Sequence, residues 1–250
     1  MRSEGIVLRK AAYSESSLIV TFFTRDWGKI KVAIRGARRL KSPFSSALEF
    51  FFRNEIVLSG SLQKTREIHS IRECSVLQPF LGLRQTPERF AVAAYCGEIL
   101  ESVLPLESRE EDIYDWVLDY MTILEKAEDA LIIEMLVRYF EINIIKKLGL
   151  LNDIKQCRLC GKQGALSASH GKEMLICKTC ASGSTEFIQA GTLAIAHQLS
   201  ISGPGRIRNL QSSVVQRREL ERLGYLFVDS VLEKKIKSRE FLMKCIHKQK

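Results

Sequence analysis

The stretch Gly28-Lys-Ile-Lys-Val-Ala-Ile-Arg-Gly-Ala-Arg-Arg-Leu-Lys-Ser42 decides how the first part of the chain is read. From Lys29 to Arg35 it alternates, the period of a strand with one face buried. Lys29, Lys31 and Arg35 fall on the same side, so the outward face is expected to be basic. Arg25-Asp-Trp-Gly28 before it is a turn signal. After it, Arg35, Arg38, Arg39 and Lys41 place four cations in seven residues around Gly36, and Pro43 ends the run. This segment is expected to be a flexible basic loop that follows a phosphate backbone without reading bases.

Working outward, Gly5–Arg9 and Ser17–Thr24 are β-prone runs rich in branched and aromatic residues. Leu48–Leu58 is expected as a fourth strand and Thr65–Cys74 as a fifth. Five short strands around one core predict a small barrel of the OB type over residues 1–80. An SH3-like barrel would show a similar pattern. Trp27 and Phe44 are candidate stacking platforms for bases, although burial in the barrel core suits both.

Beyond residue 80 the apolar period becomes helical. Pro87–Val103 puts Phe90, Ala93, Ala94, Gly97, Leu100 and Leu104 on one face. Ser108-Arg-Glu-Glu111 has the form of a capping box opening a helix that runs to about Ala127. Asp129 is expected to cap a third helix, Ala130–Leu148, with Gly149 as its C-cap. That helix is apolar around most of its circumference, which predicts the buried centre of a bundle. Glu110, Glu111, Asp112, Asp115 and Asp119 gather near one helix start. They can serve acid–base chemistry or Mg²⁺, but favourable charge at a helix N-terminus accounts for them as well.

Cys157-x-x-Cys160, sixteen residues, then Cys177-x-x-Cys180 is the spacing of a tetrahedral Zn²⁺ site. Four thiolates fill the coordination shell, so one structural Zn²⁺ per chain is expected, in a motif spanning 155–183. Two disulfides are the competing reading, and a chain of 250 residues needs no such staples. Helices are expected over Glu186–Leu199 and Gln211–Val231. Arg217, Arg218 and Arg222 line the polar side of the second. Lys234, Lys235, Lys237 and Arg239 form another basic cluster. Together these seven are a candidate second surface for DNA or a protein partner, with snorkelling side chains on packed helices as the plainer account. The architecture expected is α+β: an N-terminal OB-fold β-barrel (1–80), followed by a C-terminal helical bundle domain (81–250) carrying the four-cysteine zinc motif.

The net charge is +9, and its distribution is uneven. Residues 1–80 carry fourteen Lys/Arg against seven Asp/Glu, residues 81–150 seven against fourteen, and residues 151–250 seventeen against eight. Two basic ends around an acidic middle fit a polyanion binder, with nucleic acid the commonest partner. No apolar run approaches a membrane span, and the start lacks the apolar core of a signal peptide. Seven cysteines, three of them scattered, fit a reducing cytoplasm.

In order and spacing the chain resembles the RecO family of bacterial recombination mediators over its whole length. The resemblance is carried by Gly5-Ile-Val-Leu-Arg9, Tyr13-Ser-Glu-Ser16, Gly28-Lys-Ile30, Arg35-Gly-Ala-Arg-Arg39 and Lys41-Ser42. It continues through Ala94-Tyr-Cys-Gly-Glu98, Leu148-Gly149 before Cys157, and Lys237-Ser-Arg-Glu-Phe-Leu242. Leu48-Glu-Phe-Phe51 departs from it, because similar proteins often carry a proline in that strand. The resemblance implies a nucleoid-associated protein that binds single- and double-stranded DNA and anneals complementary strands without catalytic residues. It also implies RecR as a partner, docking of the acidic C-terminal tail of single-stranded DNA-binding protein, and loading of RecA as a result. Lys29, Lys31, Arg35, Arg38, Arg39 and Lys41 are the expected DNA-binding residues. The rival readings are a zinc-ribbon and OB factor acting on RNA, and a metal nuclease using Asp112 or Asp115.

Overall fold

The computed structural model describes residues 1–44, 46–60, 67–151, 153–168, 175–181, 187–232 and 234–246. They form two compact units, Met1–Lys126 with Ser238–Cys245, and Ala127–Lys237 with Ile246–Lys250. The first unit therefore extends past residue 80 and takes in the helices Pro87–Val103 and Glu111–Leu124 and most of the one that starts at Ser238.

Five strands make that barrel: β1 (Arg2–Ala12), β2 (Leu18–Thr24), β3 (Gly28–Ile34), β4 (Arg53–Leu58) and β5 (His69–Gln78). Their order around it is β1-β2-β3-β5-β4, closed by β4 on β1. This is the five-stranded OB arrangement, with parallel pairing only between β3 and β5. The alternation in β3 is met: Ile30, Val32 and Ile34 are fully buried, packed with Val20, Phe22, Trp27 and Ile56. Trp27 is thus a core residue, and Phe44 packs against the same core. Neither is a free stacking platform.

The fourth strand is shorter than expected, because Phe51 adopts φ +66 and breaks the extended run. The stretch still touches β1: the Phe51 N–H donates to Val7 O at 3.0 Å, and the Val7 N–H to Phe52 O at 3.3 Å. The turn aims the Phe51 ring outward at helix α1 (Pro87–Val103), where it meets Phe90 edge-on at 6.4 Å. It also lies over Gly97, where an added Cβ would come within 2.6 Å of the ring. The fifth strand begins at His69. Its expected start, Thr65, lies outside the described residues.

Helix α1 starts as its sequence dictates, with Pro87 in the first turn and the Thr86 hydroxyl accepting from the Arg89 N–H. It is buried around most of its girth rather than on one face. Helix α2 (Glu111–Leu124) lacks the expected capping box: Glu110 is its N-cap, and the Ser108 hydroxyl donates to the Glu110 carboxylate instead. Tyr114 meets Phe23 edge-on at 5.4 Å. Between the two helices, Leu106 pairs with Lys29 as a parallel bridge, and the Glu107 N–H donates to Lys29 O at 2.9 Å.

The second unit is built on α3 (Ala130–Lys147), capped by Asp129 at Leu131 and Ile132 and ended by Gly149 at φ +73, as expected. A three-stranded sheet follows, of β6 (Leu166–Ala168), β7 (Leu175–Cys177) and β8 (Phe187–Ile188). Because Phe187 and Ile188 pair with β6, helix α4 (Ala190–Ile201) starts later than Glu186. Helix α5 (Val214–Val231) opens on a capping box of Ser213 and Gln216. Helix α4 has no cap of its own. The Glu219 carboxylate of α5 accepts from the Gln189 N–H and the Thr192 hydroxyl at its start. Lys146 of α3 donates to Ser200 O at its end, at 2.7 Å. Both charges oppose the α4 dipole in the favourable sense. Arg138 and Glu141 of α3 form a buried ion pair at 2.9 Å, with Gly224 of α5 packed directly on it. The chain then returns to the first unit in α6 (Ser238–Ile246), whose first residue donates from both N–H and hydroxyl to the Glu98 carboxylate of α1.

Two consequences are measurable. Gly97→Ala overpacks the Phe51 contact, and thermal unfolding should show a loss of about 1–3 kcal/mol. Lys29 is buried, and desolvation holds its ammonium below the usual 10.5. The unfolded chain therefore binds the Lys29 proton more tightly than the native protein. Stability relative to Lys29→Met should rise with pH in the alkaline range just below 10.5. A flat difference between the two proteins across that range would contradict the burial.

Candidate nucleic-acid interface and metal centre

The barrel positions its basic segment at the far end of β3 from Gly28. Strand β3 ends at Ile34, so Arg35 starts a pair of turns: the Arg39 N–H donates to Gly36 O at 3.1 Å, and the Ser42 N–H to Arg39 O at 3.0 Å. Ala37 tucks into the barrel core and Ser42 is buried. The segment expected to be a flexible loop is thus folded onto the barrel. It is also fastened to the β1–β2 turn: the Arg38 N–H donates to Ser16 O at 3.1 Å, and its guanidinium to Ser14 O at 3.0 Å.

The expected cations separate on this frame. Arg35, Arg38, Arg39 and Lys41 are exposed on the turns, and Lys31 is half-buried on the outer barrel face. Lys29 is corrected: its side chain points outward as the alternation requires, but that part of the outer face is covered. Its ammonium donates to the Glu101 carbonyl near the end of α1. The outer face of a strand is solvent only where no helix lies on it, and the alternation of β3 does not say where that is.

Charge neutralisation sharpens the contrast. In this unit Arg2 pairs with Glu55, Arg9 with Glu101, Lys10 with Glu49, Arg53 with Glu4 and Arg72 with Glu73. Arg25 joins both Glu111 and Asp115 of α2. Among the described residues, Lys31, Arg35, Arg38, Arg39 and Lys41 have no such carboxylate within 4.0 Å. The turns therefore gather four exposed cations that no carboxylate of the described residues matches. A residue to which sequence reasoning assigns no site role stands beside them: Tyr13, 64% exposed, begins the turn that Arg38 is fastened to. Its signal in the sequence is an aromatic among small turn residues, Ala12 and Ser14, where no core face is available.

The second basic set divides. Arg217 is half-buried, donating to Ser212 O at 2.8 Å and lying 3.5 Å from Glu134. Arg218, Arg222, Lys234, Lys235 and Lys237 are exposed. Arg239 is half-buried and belongs to the first unit, whereas the other six lie in the second.

Cys157, Cys160, Cys177 and Cys180 converge with all four sulfurs within 4.8 Å of one another. The Cys160 and Cys177 sulfurs are 3.6 Å apart. Tetrahedral Zn–S bonds of about 2.3 Å require sulfurs about 3.8 Å apart, so the donor set fits a zinc-sized ion. Turns aim them: the Gly161 N–H donates to Cys157 O, and the Cys180 and Ala181 N–H groups to Cys177 O. Backbone hydrogen bonding around Cys180 lowers the Cys177 thiol, favouring the thiolate a metal needs. Among the described residues no acidic cluster offers three donors at one point. Glu111 and Asp115 are engaged by Arg25. His170 and His247 lie outside the described residues. Among the described residues no helix is long and apolar enough to cross a membrane.

Comparison with known proteins agrees with this architecture. The family model "Recombination protein O N terminal" matches residues 1–80, and "Recombination protein O C terminal" matches residues 84–240. Among curated relatives, DNA repair protein RecO of Caldicellulosiruptor bescii is 27% identical over 246 residues, covering 96% of this chain and 97% of its own. That of Syntrophus aciditrophicus is 26% identical over 252 residues, covering 96% and 94%. That of Listeria monocytogenes is 29% identical over 180 residues, covering 72% and 68%. A closed five-stranded barrel, a four-cysteine knuckle and matches that run through both units place the chain in one family: it belongs to the RecO family of DNA repair and recombination proteins.

Proposed function

We propose that this chain is a non-enzymatic DNA-binding and strand-annealing protein of recombinational repair. The observation that supports it best is a contrast in charge: Arg2, Arg9, Lys10, Arg25, Arg53 and Arg72 lie beside carboxylates, whereas Arg35, Arg38, Arg39 and Lys41 of the turns have none among the described residues. Phosphates of one strand take the place of carboxylates there, and counterion release supplies the affinity. Exposed cations of the second unit, Arg218, Arg222, Lys234, Lys235 and Lys237, reduce repulsion from a second strand. Pairing then proceeds between the bases, so no catalytic group is required. Both single and double strands are ligands on this reading.

The finer assignments follow from family membership. RecR is the expected protein partner. The acidic tail of single-stranded DNA-binding protein docks on the helical unit, and RecA is loaded on the strand so cleared. The four-cysteine knuckle holds one structural Zn²⁺, with all positions filled by thiolate and none left for water. An RNA-binding role for the same barrel face is the second reading, and competition between single-stranded DNA and RNA of the same sequence separates the two.

Reversing Arg35, Arg38 and Arg39 to Glu should weaken binding to every DNA sequence. The slope of log affinity against log salt should fall by about 2 for single strands, at about 0.7 for each phosphate no longer neutralised. An unchanged titration would remove the turns from the interface. For the metal, elemental analysis should find one zinc per chain. Cys177→Ser should abolish zinc binding and lower the thermal stability of the second unit, leaving the barrel folded. Full metal content and unaltered melting in that variant would refute the site.

A further inference from the structure

The β1–β2 turn holds an exposed aromatic ring that packing does not explain. Tyr13 is 64% exposed, directly after β1. Scattered apolar residues on a surface are ordinary, but this one has a defined frame. The Tyr13 and Ser14 N–H groups both donate to Ser17 O, at 3.1 and 3.4 Å, which closes the turn. Arg38 then fastens that turn to the cationic one through Ser14 O and Ser16 O. The backbone that carries Tyr13 is thereby tied to the turn that carries the cations. Leu40, at the tip of the cationic turn between Arg39 and Lys41, is likewise wholly exposed.

Charge separates what each part can hold. Glu15, in the same turn as Tyr13, is exposed and disfavours a phosphate there. Arg35, Arg38, Arg39 and Lys41 favour one. A strand lying across both turns therefore sets its backbone on the cations and presents a base to the ring. The face of Tyr13 accepts any base, because stacking needs only a π-surface.

We propose that Tyr13 is a base-stacking residue that makes this interface selective for unpaired strands. The proposal rests on the reading of the cationic turns given above and adds the discrimination they lack. Phosphate contacts alone do not distinguish a single strand from a duplex. A stacked base does, since in a duplex each base face is already covered by its neighbours. Once the strand has paired, its base leaves Tyr13, which lowers affinity for the annealed product.

The test is anisotropy titration of the full chain with three probes: oligothymidylate, the same strand made abasic throughout, and a duplex of equal length. The unaltered protein should bind oligothymidylate about tenfold more tightly than the abasic strand. Tyr13→Ala should erase that gap and leave duplex affinity unchanged, and Tyr13→Phe should preserve the gap. The abasic comparison needs no variant, so a folding defect cannot obscure it. Equal binding of normal and abasic strands, or parallel weakening of strand and duplex binding in Tyr13→Ala, overturns the stacking role while the cationic turns stand. An unaltered protein that binds neither strand nor duplex overturns both.

Discussion

Closure of the barrel depends on its shortest seam. Among the described residues, strands β3 and β5 pair in parallel at Val32 with His69 and Ala33 with Ser70. The seam is reinforced from outside by one residue: Glu107 donates its N–H to Lys29 O on β3, and its carboxylate lies 2.8 Å from His69 Nε2 on β5. Glu107 reaches both strands from a backbone at φ +56, a conformation non-glycine residues seldom adopt. With the seam shut, Ile30, Val32 and Ile34 stay enclosed and Arg35 leaves β3 in a fixed direction. The position of the cationic turns is thus inherited from a contact on the opposite stretch of the same strand.

Each unit uses side chains of one helix to complete another. Glu98 on α1 satisfies the start of α6, and Glu219 on α5 satisfies the start of α4. A helix so completed needs no cap in its own sequence, and it is held to its neighbour by a charge-assisted bond as well as by apolar packing. The buried pair of Arg138 and Glu141 follows the same logic within α3, where the Arg138 guanidinium also donates to Glu221 O on α5. Such bonds fix which helix faces meet, a specificity that apolar packing alone supplies less sharply.

What can be read from the chain is what is encoded locally. The alternation of β3, the Thr86-Pro87 start, the Asp129 cap, the Gly149 stop and the two Cys-x-x-Cys pairs each act within a few residues. Where the sequence misleads, a distant partner is responsible. Lys29 reads as an outward cation because nothing within the strand shows that α1 covers it. Leu48–Phe52 reads as strand because its aromatics suit one, yet the packing of Phe51 on Gly97 dictates a turn. The capping box at Ser108 has the right letters, but Glu110 is nearer. The late start of α4 follows from Phe187 and Ile188 pairing with β6. The acidic run of α2 is legible as favourable helix-start charge, while its pairing with Arg25 is not. The basic turn is legible as composition. That its charge stays open emerges only when Arg2, Arg9, Lys10, Arg53 and Arg72 are each matched to a carboxylate.

The return of α6 to the first unit has a bearing on how the protein is made. Residues 238–245 belong to the first unit, where Ser238 is bonded to Glu98 of α1, so a growing chain cannot finish that unit when its main segment has left the ribosome. Residues 127–237, the main segment of the second unit, must be translated before α6 arrives. Until then Glu98 lacks its Ser238 partner, and the newborn first unit lacks α6. Synthesis therefore includes a late assembly step that joins α6 to α1. A ribosome stalled just before residue 238 would hold a chain whose first unit still lacks α6.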